Sequence, residues 1–303
     1  SVEKVFGDLC DKASIDRAIQ GCDEVYHIAA EYKFWTLDPQ SMYRSNILGT
    51  QHVMEAALAM GVKKVVYTST VGTIGLGALP TTTTATFAGF DEESPMLAGQ
   101  FSGNYKRSKY EAEQLVLSFV SKGLPVVIVN PSTPIGAHDV KPTPTGKIIV
   151  DFINGRMPAY VATGLNIVDV RDVARGHILA AERGRIGERY ILGNQNMSLF
   201  EILGVLSEIT GIPRPSIRLP YTVAFLAGVV STKFSDWVSH KPPAIALESV
   251  KMAQANMYFC SKKAIDELGY APRPVRGAFE NAVKWFAQNR YLNLRGKIEW
   301  LSH

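Results

Sequence analysis

Lys64-Val-Val-Tyr-Thr-Ser69 and Pro125-Val-Val-Ile-Val129 are the two stretches whose reading decides the fold. Both are short, rich in β-branched and aromatic residues, and apolar on both faces rather than alternating. Such strands must be covered from two sides, the condition of a parallel sheet held between layers of helices. The chain between them supplies a helix, from about Asn104 to Lys122. Upstream, Glu24 to Ala29 is a further strand, followed by a long amphipathic helix from about Ser41 to Met60. Earlier still, the β-like pair Val5-Phe6 runs into Gly7-Asp8-Leu9 and a helix-like segment from Ser14 to Gln20. The alternation predicts a doubly wound α/β fold.

The second half is less regular. Lys141-Pro-Thr-Pro-Thr-Gly146 is a proline-rich loop opening into a helix at Lys147 to Asn154. Ile167 to Val170 and Tyr190 to Gly193 are predicted strands, with a helix from Asp172 to Glu182 between them. Ser198 followed by Glu201 is a capping box for a helix through Ile209. Proline-broken helices follow Pro213, and a last helix spans about Arg276 to Asn289. The expected organisation is a nucleotide-type domain from 1–131 and 166–193, a substrate lobe from 132–165 and 194–291, and a tail at 292–303.

Composition sets limits on function. The 303 residues carry a net charge of +4, 46% hydrophobic and 20% charged residues, as in ordinary globular chains. That charge suits an anionic small ligand and is far too weak to argue for nucleic acid. Cys10, Cys22 and Cys260 form neither a CxxC pattern nor a paired framework, which points to a reducing, cytoplasmic compartment and away from a metal site. No run reaches the ~18 apolar residues of a membrane span; the longest, Val223 to Val230, is far shorter. Asn196-Met-Ser198 fits a glycosylation sequon and is read as chance, because the first residues, Ser-Val-Glu-Lys-Val-Phe, lead us to expect no secretory signal.

The chemistry concentrates in Tyr105-Lys-Arg-Ser-Lys109. Residues four apart share a helix face, so a phenol and an ammonium lie together. The cation is expected to favour phenolate and bring the tyrosine toward useful proton transfer. Alone the pattern is weak, and Tyr258-Phe-Cys-Ser-Lys262 repeats it with nothing catalytic around. Context separates them: Ser69-Thr70 close the strand upstream of Tyr105, at the carboxyl end where open α/β sheets bind ligands. Either hydroxyl is placed to meet a substrate oxygen beside Tyr105.

These residues resemble extended short-chain dehydrogenases/reductases of the NAD-dependent epimerase/dehydratase type, especially the hopanoid-associated sugar epimerase subgroup near the dihydroflavonol-reductase-like enzymes. The resemblance runs through Tyr26-His-Ile-Ala-Ala30, Asn46-Ile-Leu-Gly-Thr50, Val66-Tyr-Thr-Ser-Thr70, Tyr105 to Lys109, Val129-Asn-Pro-Ser-Thr-Pro-Ile-Gly136 and Gly184 to Gly193. It implies a Rossmann-type fold with a smaller C-terminal lobe, NAD or NADP as cofactor, and a homodimer formed through the helices 41–60 and 104–122. It assigns catalysis to Thr70, Tyr105 and Lys109. It gives the cofactor Asp8, Leu9, Ala29, Ala30, Thr68, Pro131 and Ser132 besides Tyr105 and Lys109. Asn46 and Ser69 become supporting residues, and Asn130, Lys141, Arg156 and Asn166 candidate substrate contacts. The implied activity is epimerisation or dehydration of a sugar or sugar nucleotide by Tyr-assisted hydride transfer. A dihydroflavonol-reductase-like NADPH carbonyl reductase is the alternative, and a non-catalytic protein on the same fold the third reading.

One element of the family pattern is not seen. The first recognisable segment matches the family's third strand, so the β-α-β unit with its glycine-rich phosphate loop is expected to be missing. Gly72-Thr-Ile-Gly75-Leu-Gly77 follows the wrong strand for that role and is read as an active-site loop. A sheet without that unit is expected to have an unpaired edge and exposed apolar surface.

Overall fold

The computed structural model describes residues 2–76, 89–97, 101 and 103–292. Gly77 and nearly all of the 292–303 tail lie outside these. In chain order the elements are α1 (Lys12–Ile19), β1 (Glu24–His27), α2 (Pro39–Tyr43), α3 (Gly49–Ala59), β2 (Lys64–Thr68), α4 (Asn104–Ser121), β3 (Val126–Pro131) and β4 (Thr133–Ile135). Then follow α5 (Pro144–Ile153), β5 (Ala159–Val161), β6 (Gly164–Asp169), α6 (Val170–Arg183), β7 (Arg189–Leu192) and β8 (Gln195–Ser198). The chain continues with α7 (Leu199–Thr210), β9 (Ile217–Leu219), α8 (Tyr221–Phe234), α9 (Leu247–Met252) and α10 (Arg276–Gln288).

The main sheet has the order β1-β2-β3-β7, with every neighbouring pair parallel. Its two faces follow the period of two in the sequence. Val65, Tyr67, Val126 and Ile128 point to one side, where α1, α3 and α4 cover them with Ile15, Met54, Val116 and Phe119. Val66, Val127 and Val129 point to the other, against Val173, Leu179 and Ala180 of α6 and against Leu268 and Tyr270. Strands apolar on both faces thus meet helices on both, as their composition requires. The smaller lobe has its own core, in which Ile149 and Phe152 of α5, Leu203 and Leu206 of α7, and Phe279, Val283 and Phe286 of α10 pack together. Ile167 of β6 belongs to this core and its neighbour Val168 to that of the main sheet, so β6 joins the two lobes. The architecture is a Rossmann-like parallel sheet with a smaller C-terminal lobe.

Two local features depart from expectation. The helix read as continuous from Ser41 to Met60 contains a π turn at Arg44–Leu48, where the Gly49 N–H reaches back to the Arg44 carbonyl. Val5 and Phe6 form no strand: Phe6 is 95% exposed, and no neighbouring strand among the described residues offers its backbone a partner. Among those residues β1 is an open edge of the sheet, and Ile28 just beyond it is 60% exposed. The capping box at Ser198 and Glu201 forms as read, with both reciprocal bonds made.

Candidate active site

Parallel strands β1, β2 and β3 end side by side, and their carboxyl ends carry Ala29-Ala30, Thr68-Ser69-Thr70 and Asn130-Pro131-Ser132. Alpha helix α4 starts beside them, placing Tyr105 in its first turn and Lys109 one turn on. Thr70 caps a short 3-10 turn, Val71–Thr73, by accepting from the Gly72 N–H at 3.1 Å. That bond uses an acceptor lone pair of Thr70, whose hydroxyl also lowers the proton affinity of the nearby Tyr105 phenol. Two hydroxyls therefore converge at the end of β2.

Electrostatics here differ from the simple phenol–ammonium pair. Burial pushes the Tyr105 hydroxyl up to about 12, with Thr70 holding it down and the Glu248 charge raising it further. Lys109 is turned toward β2: its ammonium donates to the Thr68 carbonyl at 2.8 Å and the Tyr67 hydroxyl at 3.2 Å. Burial lowers Lys109 to about 8, against the opposing pull of Glu113. The protonated phenol is accordingly the resting form of Tyr105 in this structure, because desolvation outweighs any help from the lysine.

A buried network lies beneath the Thr70 turn. Glu113, on the same face of α4 as Tyr105 and Lys109, is wholly inside the protein. Its Oε2 accepts from Ser69, from Thr73 at 2.9 Å and from Asn130 Nδ2 at 3.2 Å, while Arg189 of β7 approaches Oε1 at 3.5 Å. Asn130 Nδ2 also reaches the Thr70 carbonyl at 3.0 Å, so the turn carrying Thr70 is held from below. The Asn130 Oδ1 is buried without a partner among the described residues. Glu113 and Arg189 were not singled out in the sequence. The only signal was that Glu113 extends the i, i+4 spacing of Tyr105 and Lys109 by one more turn.

The other side of Tyr105 is set by the π turn. Asn46 accepts from the Glu31 N–H at 2.7 Å and donates to the Glu31 carbonyl at 3.1 Å and Ser108 Oγ at 3.0 Å. It clamps the loop after β1 onto α4, which sets the Tyr32 ring 4.4 Å from that of Tyr105. Beneath it His27 bonds Thr50 at 3.0 Å, and burial together with the Lys109 charge depresses its pKa to about 3. Glu248 of α9 arrives from the smaller lobe and rests on Gly103, where a Cβ would lie 1.9 Å from its carboxyl carbon. One of its oxygens is buried without a partner among the described residues, and burial raises its pKa to about 7. His27 and Glu248, too, escaped the sequence reading.

The remaining sequence candidates are dispersed. Asp8 uses a carboxylate oxygen to accept from Cys10 N–H at 2.8 Å, and the Leu9 carbonyl meets His52 at 2.9 Å. Ala29 and Ala30 are exposed beyond β1. Thr68 bonds His177 at 2.8 Å, and the Ser132 N–H donates to the Leu192 carbonyl at 3.1 Å. Asn166 is consumed structurally, bonding Asn194, Asn196 and the Phe259 carbonyl. Arg156 faces Asp151 at 3.7 Å, and Lys141 is exposed in the loop entering α5. The second Tyr-Lys pair shares no helix face: Tyr258 lies in an extended segment and Lys262 pairs with Asp266.

Comparison with known proteins shows the family. The model of the NAD dependent epimerase/dehydratase family matches residues 2–193. A Synechocystis sp. protein described as "Putative dihydroflavonol 4-reductase" is 42% identical over 299 residues, covering 96% of this chain and 83% of that one. "Sterol demethylase protein B" of Methylococcus capsulatus is 32% identical, with 95% and 86% covered. Among solved structures, that of gox2253 is 43% identical with a TM-score of 0.82, covering 96% of this chain and 86% of its own. PA4631, a nucleoside-diphosphate-sugar epimerase from Pseudomonas aeruginosa, is 26% identical with a TM-score of 0.72, at 95% and 83% coverage. With strand ends, hydroxyl pair and lysine arranged in this way, the chain belongs to the NAD(P)-dependent epimerase/dehydratase family of extended short-chain dehydrogenases/reductases.

Proposed function

We propose that this protein is a carbonyl reductase, interconverting a ketone and a secondary alcohol on a largely apolar substrate. The observation that carries the reading is the convergence of the Thr70 and Tyr105 hydroxyls at the carboxyl end of β2. In the reducing direction both hydroxyls meet the substrate oxygen, Thr70 polarising it and Tyr105 giving it a proton. A nicotinamide cofactor supplies the hydride when bound. Asp8, Leu9, Ala29, Ala30, Thr68, Lys109, Pro131 and Ser132 are the residues that would hold it. Lys109 is a cation in a dry setting, which suits an anionic dinucleotide. A tyrosine resting as the neutral phenol is ready to donate, the role reduction asks of it.

The apolar character of the substrate is supported by Tyr32, Phe34 and Trp35, an aromatic segment whose Tyr32 ring lies on Tyr105. It is supported also by the reductase description of the 42% identical relative. Epimerisation of a sugar nucleotide is the second reading, favoured by the likeness to the Pseudomonas structure. Incubation with NAD(P)H and a panel of ketones, beside nucleotide sugars, separates the two. Reduction consumes cofactor in proportion to product, and epimerisation consumes none. The Tyr105→Phe variant should lose ~10²–10⁴-fold in turnover with cofactor affinity nearly unchanged; full turnover by that variant would sink both readings.

A further inference from the structure

Helix α8 is an anomaly on the surface. Its sequence, YTVAFLAGVVSTKF, is apolar nearly all round, yet only Ala224 and Gly228 are buried. Those two small residues form the side that packs on α9: a Cβ on Gly228 would meet Val250 at 3.2 Å and Leu247 at 3.4 Å. The opposite side runs on through Ser235–Ser239 and presents a ridge to solvent. Leu226 is 63% exposed, Val230 68%, Phe234 56% and Trp237 74%. These positions recur at helical spacing, so they form a stripe rather than scattered apolar residues.

The charges around the stripe are mainly positive. Between Pro220 and Lys251 the bases are Lys233, Lys241, Lys251 and His240, and the acids only Asp236 and Glu248. Both acids are occupied by the protein itself. Asp236 accepts from the Trp35 indole at 2.7 Å, and Glu248 is turned inward onto Gly103. Lys233 lies over the Trp237 ring at 5.5 Å from its centroid, placing an ammonium and an indole together at one end of the ridge. A two-fold pairing of this face with a second copy would bring like charges together. A bilayer surface with anionic headgroups answers both features, since it takes apolar ridges into its interface and attracts the cations at the rim.

We infer that the α8 ridge, from Leu226 to Trp237, docks this protein peripherally on an anionic bilayer surface. The dock is one helix from the chemistry. Below α8 lies α9, whose Glu248 touches Gly103 two residues before Tyr105, and the Trp35–Asp236 bond ties the aromatic loop at Tyr105 to the end of the ridge. A substrate dissolved in the membrane would thus reach the site from the face the protein rests on. Docking does not depend on which carbonyl is reduced.

The test is flotation of the purified chain with vesicles of phosphatidylcholine alone and of phosphatidylcholine mixed with phosphatidylglycerol. Wild type should float with the anionic vesicles, and added salt should weaken it. The variant Leu226→Ser/Phe234→Ser/Trp237→Ser should lose at least ~10-fold of the bound fraction. The charge variant Lys233→Glu/Lys241→Glu, which leaves the ridge intact, should lose the preference for anionic vesicles. Thermal melts of both variants confirm that they fold. Wild type remaining in the bottom fraction overturns the proposal. So does flotation unchanged in either folded variant, or a Trp237→Cys chain that crosslinks to itself while wild type ignores vesicles. Each outcome is read without turnover and so leaves the reductase reading to its own experiment.

Discussion

Strands β3 and β1 belong to the same parallel sheet and could hardly be more different. Every residue of β3 from Val126 to Asn130 is buried, with helices on both faces, whereas in β1 only His27 is. Beneath the end of β3 sits the closed network of Glu113, Ser69, Thr73, Asn130 and Arg189; beyond the end of β1, Ile28, Ala29 and Ala30 are exposed. The difference teaches where the site gets its rigidity. Thr70 is held by the covered half of the sheet, and reacting hydroxyls need that rigidity.

The comparison breaks most readily at Glu113. Glu113→Ala should cost about 3–5 kcal/mol in urea unfolding, because Arg189 and several donors lose a buried partner. A loss below about 1 kcal/mol would mean that the network is not what fixes the turn. Next come paired truncations on the two strands. Ile128→Ala in β3 should cost about 2–5 kcal/mol, while the half-buried Val25→Ala in β1 should cost about 1 or less. Equal values would deny that the edge and the interior differ energetically.

His27 sharpens the comparison through pH. Its folded pKa, depressed to about 3, lies below the usual histidine value near 6.5, so between them the unfolded chain holds more protons. Stability contributed by neutral His27 is complete above about pH 6.5 and is lost as pH falls toward 3, at up to about 1.4 kcal/mol per pH unit. His27→Gln should flatten that acid slope in unfolding midpoints measured from pH 7.5 down to 4. The smallest effect concerns the link to the other lobe. Since the Glu248 charge raises the proton affinity of Tyr105, Glu248→Gln should move the tyrosine's titration in the pH profile of kcat/KM downward, by less than about one unit. A shift upward would contradict that coupling.

The two-faced strands and long helices were legible because their signals are local. The helix read from Asn104 to Lys122 ends one residue earlier, and Tyr105, Lys109 and a hydroxyl at Ser69 or Thr70 could be named from one helix and one strand end, the choice of Thr70 coming from the family resemblance. What escaped is what depends on distant segments meeting. Glu113 looks like any helical charge until Arg189 comes to it from 76 residues away. Glu248 is a polar residue on a short helix until Gly103 makes room for it. The expected lowering of Tyr105 by Lys109 failed for the same reason: spacing fixes a shared face, but the desolvation of the phenol comes from the whole fold.

The π turn at Arg44–Leu48 carries a consequence for how this fold tolerates changes in length. Such a turn holds one residue more than α-helical spacing requires, so the segment before it is rotated by roughly 100° against a continuous helix. Deleting one residue between 44 and 48 would restore a regular helix and swing either Asn46 away from Ser108 or Met42 out of the core. A substitution there trims one contact, whereas a frame-preserving deletion of one codon trades a whole helical face for its neighbour.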